Sequence, residues 1–426
     1  MAQSERLRVL FCDHLAIPRG KYVPGRKADS GSTAVCQSLF GVQFDKDLMP
    51  APGSKMMEGL PDMLVNWDPS EIRDGWQDGE KVVVADLSEV DGTPHGCCGR
   101  SALKRAVADW GKLGLNPYVG IELEATAFQF AEDGKIVPYD TPGGVVYGTG
   151  PFSDPVGFTD AIWERATEAG FNLDMITTEY FAPQFEFTLT FDEALKAVDD
   201  IFLFKTLARE VALEHGILLT FLPKPIEDIG GIGMHINFSF KDKDGKNVIG
   251  GGKDLGAITE GCIAGLIAHH RGMAALICPT VTSYNRLQPG ALAGIWANWA
   301  VNHRGVTTRA SEAPGKAARL EHRMADVTSN PYTATATVLQ AARLGVVNQL
   351  PLPPAETGDC FESQDATVQT PASLAEALKE LAADTELSAV VGQELVDNLI
   401  FLKTDEIEKT KDLKGDALRD WYIHYV

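Results

Sequence analysis

The sequence predicts an α+β fold in two domains, and three observations carry that prediction. At 426 residues the chain is long for a single hydrophobic core, because cores stop growing beyond about 250–300 residues and chains then divide. Strand-like runs, then helices, then further strands follow one another along the chain, the order of an α+β protein. Several of the strand-like runs alternate strictly between apolar and polar residues, the period of a strand with one buried face.

Taken in order, residues 7–91 hold short apolar runs such as Val82 to Leu87, separated by Pro and Gly, and read as a small mixed-sheet domain. A composition shift at residues 92–100 places the domain boundary near Arg100, giving domains of 1–100 and 101–426. Residues 102–113 read as a helix on Leu103, Val107 and Trp110. Residues 191–215 read as a second, with Thr190 and Glu193 as its capping box and Gly216 as its stop. The glycine-rich stretches at 143–150 and 250–252 read as hairpin or surface loops.

The alternating segments carry the chemistry. In Val119-Gly120-Ile121-Glu122-Leu123-Glu124 the apolar residues share one face, which leaves both glutamates on the other. Phe185, Phe187 and Leu189 turn Glu186 away from their core in the same manner. In residues 234–240, Met234, Ile236, Phe238 and Phe240 oppose His235, Asn237 and Ser239. Arg319, Glu321 and Arg323 share a face in residues 319–324. Any one of these carboxylates alone is an ordinary solvated strand residue. The recurrence of one polar face on four strands outweighs that reading, and neighbouring strands would bring the set into one cavity. Oxygen donors with one imidazole suit Mg²⁺ or Mn²⁺ better than zinc.

Gly230-Gly231-Ile232-Gly233 can bring backbone N–H groups close to an anion, yet it is no Walker loop, so any ATP is bound without a P-loop. Arg286, Arg304, Arg309, Arg319 and Arg323 fall within 38 positions of an acidic chain, as counter-charges for an anionic ligand would. A formal charge of -21 argues against nucleic acid and anionic membrane as partners. Seven cysteines without a framework fit a reducing cytoplasm, and neither a secretory leader nor a membrane span is legible.

Seven ordered motifs carry a resemblance to the glutamine synthetases and their relatives that join glutamate to other amines. They are Gly120-Ile-Glu122-Leu-Glu124, Glu179-Tyr-Phe-Ala-Pro-Gln-Phe-Glu186, Thr220-Phe-Leu-Pro-Lys-Pro225, Gly231-Ile-Gly-Met-His235, Arg286-Leu-Gln-Pro-Gly290, Arg319-Leu-Glu321-His-Arg323 and Asn330-Pro-Tyr332. The resemblance implies an amino-terminal β-grasp domain, a catalytic domain with a curved antiparallel sheet, and a homo-oligomer, commonly a dodecamer of two hexameric rings. It implies Glu124, Glu179 and Glu186 as ligands of one metal, and Glu122, His235 and Glu321 as ligands of a second on the ATP phosphates. Arg286 and Arg323 resemble the residues that seat glutamate, with the Gly231 backbone at its amino group. Arg304 and Arg309 fall at phosphate-clamp positions, so that these two and Arg323 are the expected catalytic arginines. Ser239, Lys316 and Arg319 fall near the nucleotide. The implied chemistry is attack of the γ-carboxylate on ATP, followed by displacement of phosphate by an amine.

Four departures from the family pattern matter. Leu292 stands in the loop where ammonia-using members carry a glutamate. The Phe-Asp-Gly-Ser-Ser-like segment of the first domain is missing, with Val35-Cys36-Gln37-Ser38 in its place and Asp45 the weaker candidate. Asn237 and His303 replace a histidine and an asparagine respectively, so that Asn237 remains only a candidate near the phosphates. Residues 353–365 contain no tyrosine that could be adenylylated. Loss of two carboxylates from one subsite leads to the expectation of glutamate and a small organic amine as substrates, Leu292 lining the amine site. The alternatives are a true glutamine synthetase and a non-catalytic ring-forming relative.

Overall fold

The computed structural model describes residues 6–426, and its first hundred residues already show how the chain alternates between burial and exposure. Leu7, Val9 and Phe11 bury one side of the Arg6–Cys12 strand. That strand pairs antiparallel with Pro18–Pro24 and parallel with Glu80–Val84, which makes the expected mixed sheet. A three-stranded antiparallel sheet of Ser32–Cys36, Asp62–Asn66 and Asp86–Ser88 packs beside it. The expectation of an untargeted amino terminus rests partly on residues 1–5, which lie outside the described residues. No helix among the described residues is long and apolar enough to cross a membrane.

The large sheet that follows has ten strands. Its main path runs Leu173–Thr178, Gln184–Leu189, Asn116–Phe130, Met234–Lys241, Leu320–His322, Thr308–Ala310, Trp299–Val301. All these neighbours are antiparallel except the last pair. Val119, Ile121, Leu123, Phe185, Phe187, Met234, Ile236 and Phe238 turn into one core with the helices, which commits the alternate residues to the opposite face.

Two helix expectations need correction. The first helix covers Gly99–Gly111, starting three residues earlier than its apolar spacing indicated. The second covers Ala194–Glu214, and the Thr190–Glu193 capping box does not form. Asp192–Glu193 instead pairs as a short strand with the long central one, and the Glu193 carboxylate accepts from Asn116 Nδ2 and Tyr118 Oη. A sheet edge within reach has outcompeted the local cap. Arg100 ties the two parts of the chain together: buried, it donates to Asp86 and, through two nitrogens, to Asp199 of the second helix. The stretches at 143–150 and 250–252 are loops, as expected.

Candidate active site

Strand register assembles the site. Glu186 sits directly opposite Glu124, and Glu122 sits between Thr188 on one neighbouring strand and His235 on the other. Further along, Asn237 lies opposite Glu321, which lies opposite Arg309. Cross-strand partners of this kind are about 5 Å apart, so one row across the sheet becomes a line of polar groups. Glu179 joins from the end of the Leu173–Thr178 strand, where its N–H donates to the Gln184 carbonyl as the chain turns back.

At the centre, His235 Nδ1 is 2.8 Å from Glu122 Oε2 and Nε2 is 3.5 Å from Glu124 Oε1. Two overlapping trios have ligand atoms within 4.8 Å of one another: Glu124, Glu179 and Glu186, and Glu122, Glu186 and His235. Glu186 is common to both. Glu321 stands 3.8 Å from His235 Nδ1, but its oxygens are engaged by Arg323 Nη1 and by Arg309 Nη1, the latter at 3.0 Å. The donor set, carboxylate oxygens with one imidazole, fits hard divalent cations such as Mg²⁺ or Mn²⁺.

The electrostatics agree with that fit. Burial, reinforced by the charges of Glu122, Glu124 and Glu179, pushes the Glu186 carboxyl up to about 8, and burial raises Glu179 too. Burial would also raise Glu122, but the hydrogen bonds from His235 and Asn237 and the nearby positive charges outweigh it and hold Glu122 at about 2. The metal-free cluster therefore keeps a proton that a cation must displace. Apparent Mn²⁺ affinity is expected to rise about tenfold per pH unit below pH 8 and to level off above it, as calorimetric titration would show. The sign for stability is opposite. A carboxyl with a raised folded pKa stabilises at low pH, and without metal that contribution fades between about pH 4.5 and 8.

The arginines take different positions. Arg309 also donates to Asn302 Oδ1 at 2.6 Å, and Arg319 Nε donates to Asn237 Oδ1 at 2.9 Å. Asn237 Nδ2 in turn donates to Glu122 Oε1 at 2.9 Å, so this one amide links an arginine to a carboxylate of the cluster. Arg323 is buried, and its Nε has no acceptor. Arg286 is also buried, with its terminal nitrogens donating to the Arg323 and Met324 carbonyls. Arg304 is exposed and makes no side-chain hydrogen bond or ion pair among the described residues.

The glycine loop has a structural reason of its own. A Cβ on Gly233 would lie 2.2 Å from Arg286 Nη2, and one on Gly231 would lie 2.8 Å from Arg286 Cγ. The Gly233 N–H is bound to Glu124 Oε2 at 2.7 Å. These glycines admit Arg286 against the backbone and help to orient Glu124.

Beside Glu122 a cavity of about 200 Å³ is lined by Gly120, Phe191, Asn237, Ser239, Lys316 and Arg319. It unites four of the six residues expected at the nucleotide and its phosphates, without Arg304 and Arg309, and adds Phe191, which falls at the start of the helix expected over 191–215. A Cβ on Gly120 would lie 3.1 Å from that of Phe191, so the glycine leaves room for the ring. Leu292 lies at 37 % exposure, two residues before Gly294, and it is Gly294 that lies against the Arg323–Met324 backbone. In the first domain, Gln37 is buried and bonded to Glu89, and Asp45 is paired with Lys409.

Comparison with known proteins adds an independent line. The family model described as glutamine synthetase, catalytic domain, matches residues 96–422. The glutamine synthetase of Pyrococcus woesei is 30 % identical over 395 residues, 91 % of this chain and 86 % of that protein. The ADP complex of GmaS is 26 % identical, with a TM-score of 0.83 over 96 % of this chain and 95 % of its own. A crystal structure of a novel glutamine synthase homolog is similar in fold, with 24 % identity and a TM-score of 0.86 over 100 % of this chain and 99 % of that one.

Proposed function

Because this chain belongs to the glutamine synthetase family and is an ATP-dependent carbon–nitrogen ligase, we propose that it joins the γ-carboxylate of glutamate to an organic amine, giving a γ-glutamylamide. The observation that carries the reading is Leu292, an apolar side chain in the loop beside Arg323 where a carboxylate would suit ammonium. Tyr180 and Phe181, exposed immediately after Glu179, add apolar surface next to a carboxylate of the cluster. The likeness to GmaS also supports the reading. Glutamine synthesis from ammonia is the alternative, supported by the names of the curated relatives.

The steps balance as phosphoryl transfer followed by acyl transfer. A γ-carboxylate oxygen attacks the terminal phosphorus of ATP and ADP leaves; the amine nitrogen then attacks the acyl carbon, phosphate leaves and the amine loses a proton. Glu124, Glu179 and Glu186 would hold the cation on the acid-substrate side, and Glu122 and His235, with Glu321 nearby, the cation on the nucleotide side. Mg²⁺ or Mn²⁺ there would supply neutralisation of the phosphoryl charge. Arg323, with its unused Nε, seats an anion next to the cluster, and Arg309 adds charge from the adjacent strand. Exposed Arg304 is free to approach a polyphosphate from outside, while Ser239, Lys316 and Arg319 line the nucleotide cavity. Arg286 contributes by fixing the Arg323–Met324 backbone, and the Gly231 loop lies against it.

The same proposal includes a β-grasp domain over residues 1–100, a catalytic domain over 101–426, a reducing cytoplasmic setting and a homo-oligomer, of two hexameric rings. A separate apolar cluster around Val9, Phe40, Met63 and Val83 supports the division, and the seven unbridged cysteines support the compartment. Exposed Val145, Tyr147 and Phe152, in a loop packed against residues 178–182, support burial of the site's rim by another copy.

The test is ADP release with glutamate and Mg²⁺, comparing ammonium with methylamine, butylamine, putrescine and aniline. One of the amines should exceed ammonium in kcat/KM by at least tenfold; preference for ammonium rejects the proposal in favour of its alternative. The Asn237 bridge gives a narrower expectation. Asn237→Leu removes the donor to Glu122 and the acceptor for Arg319 together, and should weaken ADP–Mg²⁺ binding about 10–100-fold by calorimetry, the usual effect of losing an outer-shell partner.

A further inference from the structure

On the other side of the sheet from the carboxylates, the Ala194–Glu214 helix packs through Leu203 and Leu207 into the core that holds Ile121 and Leu123. Its outer part borders a second cavity of about 410 Å³, within the range of small-molecule sites. Phe130, Phe202, Leu213, Leu218 and Leu219 supply apolar walls. Two cations, Lys205 and Arg209, line the same space, one helical turn apart.

These cations have no carboxylate side chain as an ion-pair partner among the described residues. Lys205 is buried at 8 % exposure; its ammonium donates to the Val327 carbonyl at 2.8 Å and lies 5.2 Å from the Phe221 ring. Arg209 donates to the Tyr425 and His424 carbonyls at 2.8 and 3.0 Å. Glu210 lines the same cavity, but its carboxylate accepts from Arg8 and Trp76, and Asp326 accepts from Thr328 through one oxygen. Burial, with the charge of Arg209 adding to it, lowers Lys205 to about 7, so that its charge is only part-formed near neutrality and an anion beside it would restore it. Isolated charge in an apolar setting is costly, and neither cation has an ion-pair partner among the described residues to offset that cost.

We propose that this cavity binds an amphipathic organic acid, its carboxylate between Lys205 and Arg209 and its hydrocarbon body against Phe130, Phe202, Leu218 and Leu219. The ammonium of Lys205 has protons beyond the one given to Val327, and these meet the carboxylate oxygens. A hydrocarbon body fills a cavity whose walls offer it few polar groups. The site is distinct from the ligase cleft, so its occupation does not depend on which amine that cleft uses.

Sodium octanoate is a suitable probe, with octan-1-ol and octylammonium chloride as neutral and cationic controls, titrated calorimetrically into the full chain. Octanoate should bind saturably and at least tenfold more tightly than either control. Lys205→Met, which keeps a long side chain without the charge, should weaken it at least tenfold. Thr206→Glu, which adds a second carboxylate to the cavity wall beside Glu210 without removing a cation, should do the same. ADP with Mg²⁺ should leave octanoate affinity and stoichiometry unchanged. Absence of saturation, equal binding of octanol, or full affinity in a folded variant of either kind would overturn the proposal. Competition by ADP would also overturn it, by locating the probe in the nucleotide cavity.

Discussion

Replacing Glu321 by alanine is expected to lower glutamate-dependent ADP release about a thousandfold, the scale set by several kcal/mol of lost charge stabilisation at a phosphoryl-transfer site. Glu321 is 4 % exposed and stands 3.8 Å from His235 Nδ1, with Arg323 on one oxygen and Arg309 on the other. Its removal does three things at once. A carboxylate beside the proposed nucleotide-side cation disappears, Arg323 loses its only ion-pair partner among the described residues, and of Arg309's side-chain partners there Asn302 remains. The freed guanidiniums then compete for Glu122, which is already shared by His235 and Asn237. Breaking a buried pair by removing one partner also costs about 3–5 kcal/mol of stability, so the variant should melt earlier while the proposed homo-oligomer stays assembled. Single-turnover ADP formation and light scattering together check this. Activity within tenfold of the parent would remove Glu321 from the phosphoryl-transfer machinery.

What could be read from the sequence follows from what period alone determines. Strict alternation assigns side chains to faces, so it puts Glu122, Glu124, Glu186, His235, Asn237 and Glu321 on a polar face whatever their strands pair with. Alternation says nothing about register, and register is what puts Glu186 opposite Glu124 and makes it common to both trios. The raised Glu186 carboxyl was invisible for the same reason, since its neighbours come from other strands. Local rules failed where long-range geometry overruled them. Thr190 and Glu193 have the spacing of a capping box, yet the central strand offers Asp192–Glu193 a ladder, and Phe191 is left exposed over the proposed nucleotide cavity. The Gly231 and Gly233 pair illustrates an ambiguity of a different kind. Approach of a phosphate and approach of a guanidinium both demand a missing Cβ, and only the coordinates show Arg286 lying there.

The identity of the second substrate is tested most sharply by Leu292→Glu. The position is 37 % exposed, so a carboxylate can be accommodated there without the cost of a buried, unpaired charge. Both ammonium and an alkylammonium would feel the new charge, and charge alone would not separate them. The apolar contact separates them, because the hydrocarbon body of an amine loses a leucyl wall, worth about 1–3 kcal/mol per methylene-sized contact, while ammonium has no such body to lose. The ratio of kcat/KM for butylamine to that for ammonium should therefore fall about a hundredfold, with the ammonium value itself rising. Leu292→Ala divides the two contributions: it should reduce butylamine use without improving ammonium use. If the two substrates respond in parallel in both variants, Leu292 does not border the amine, and the selection must be made by other residues such as Tyr180 and Phe181 after Glu179.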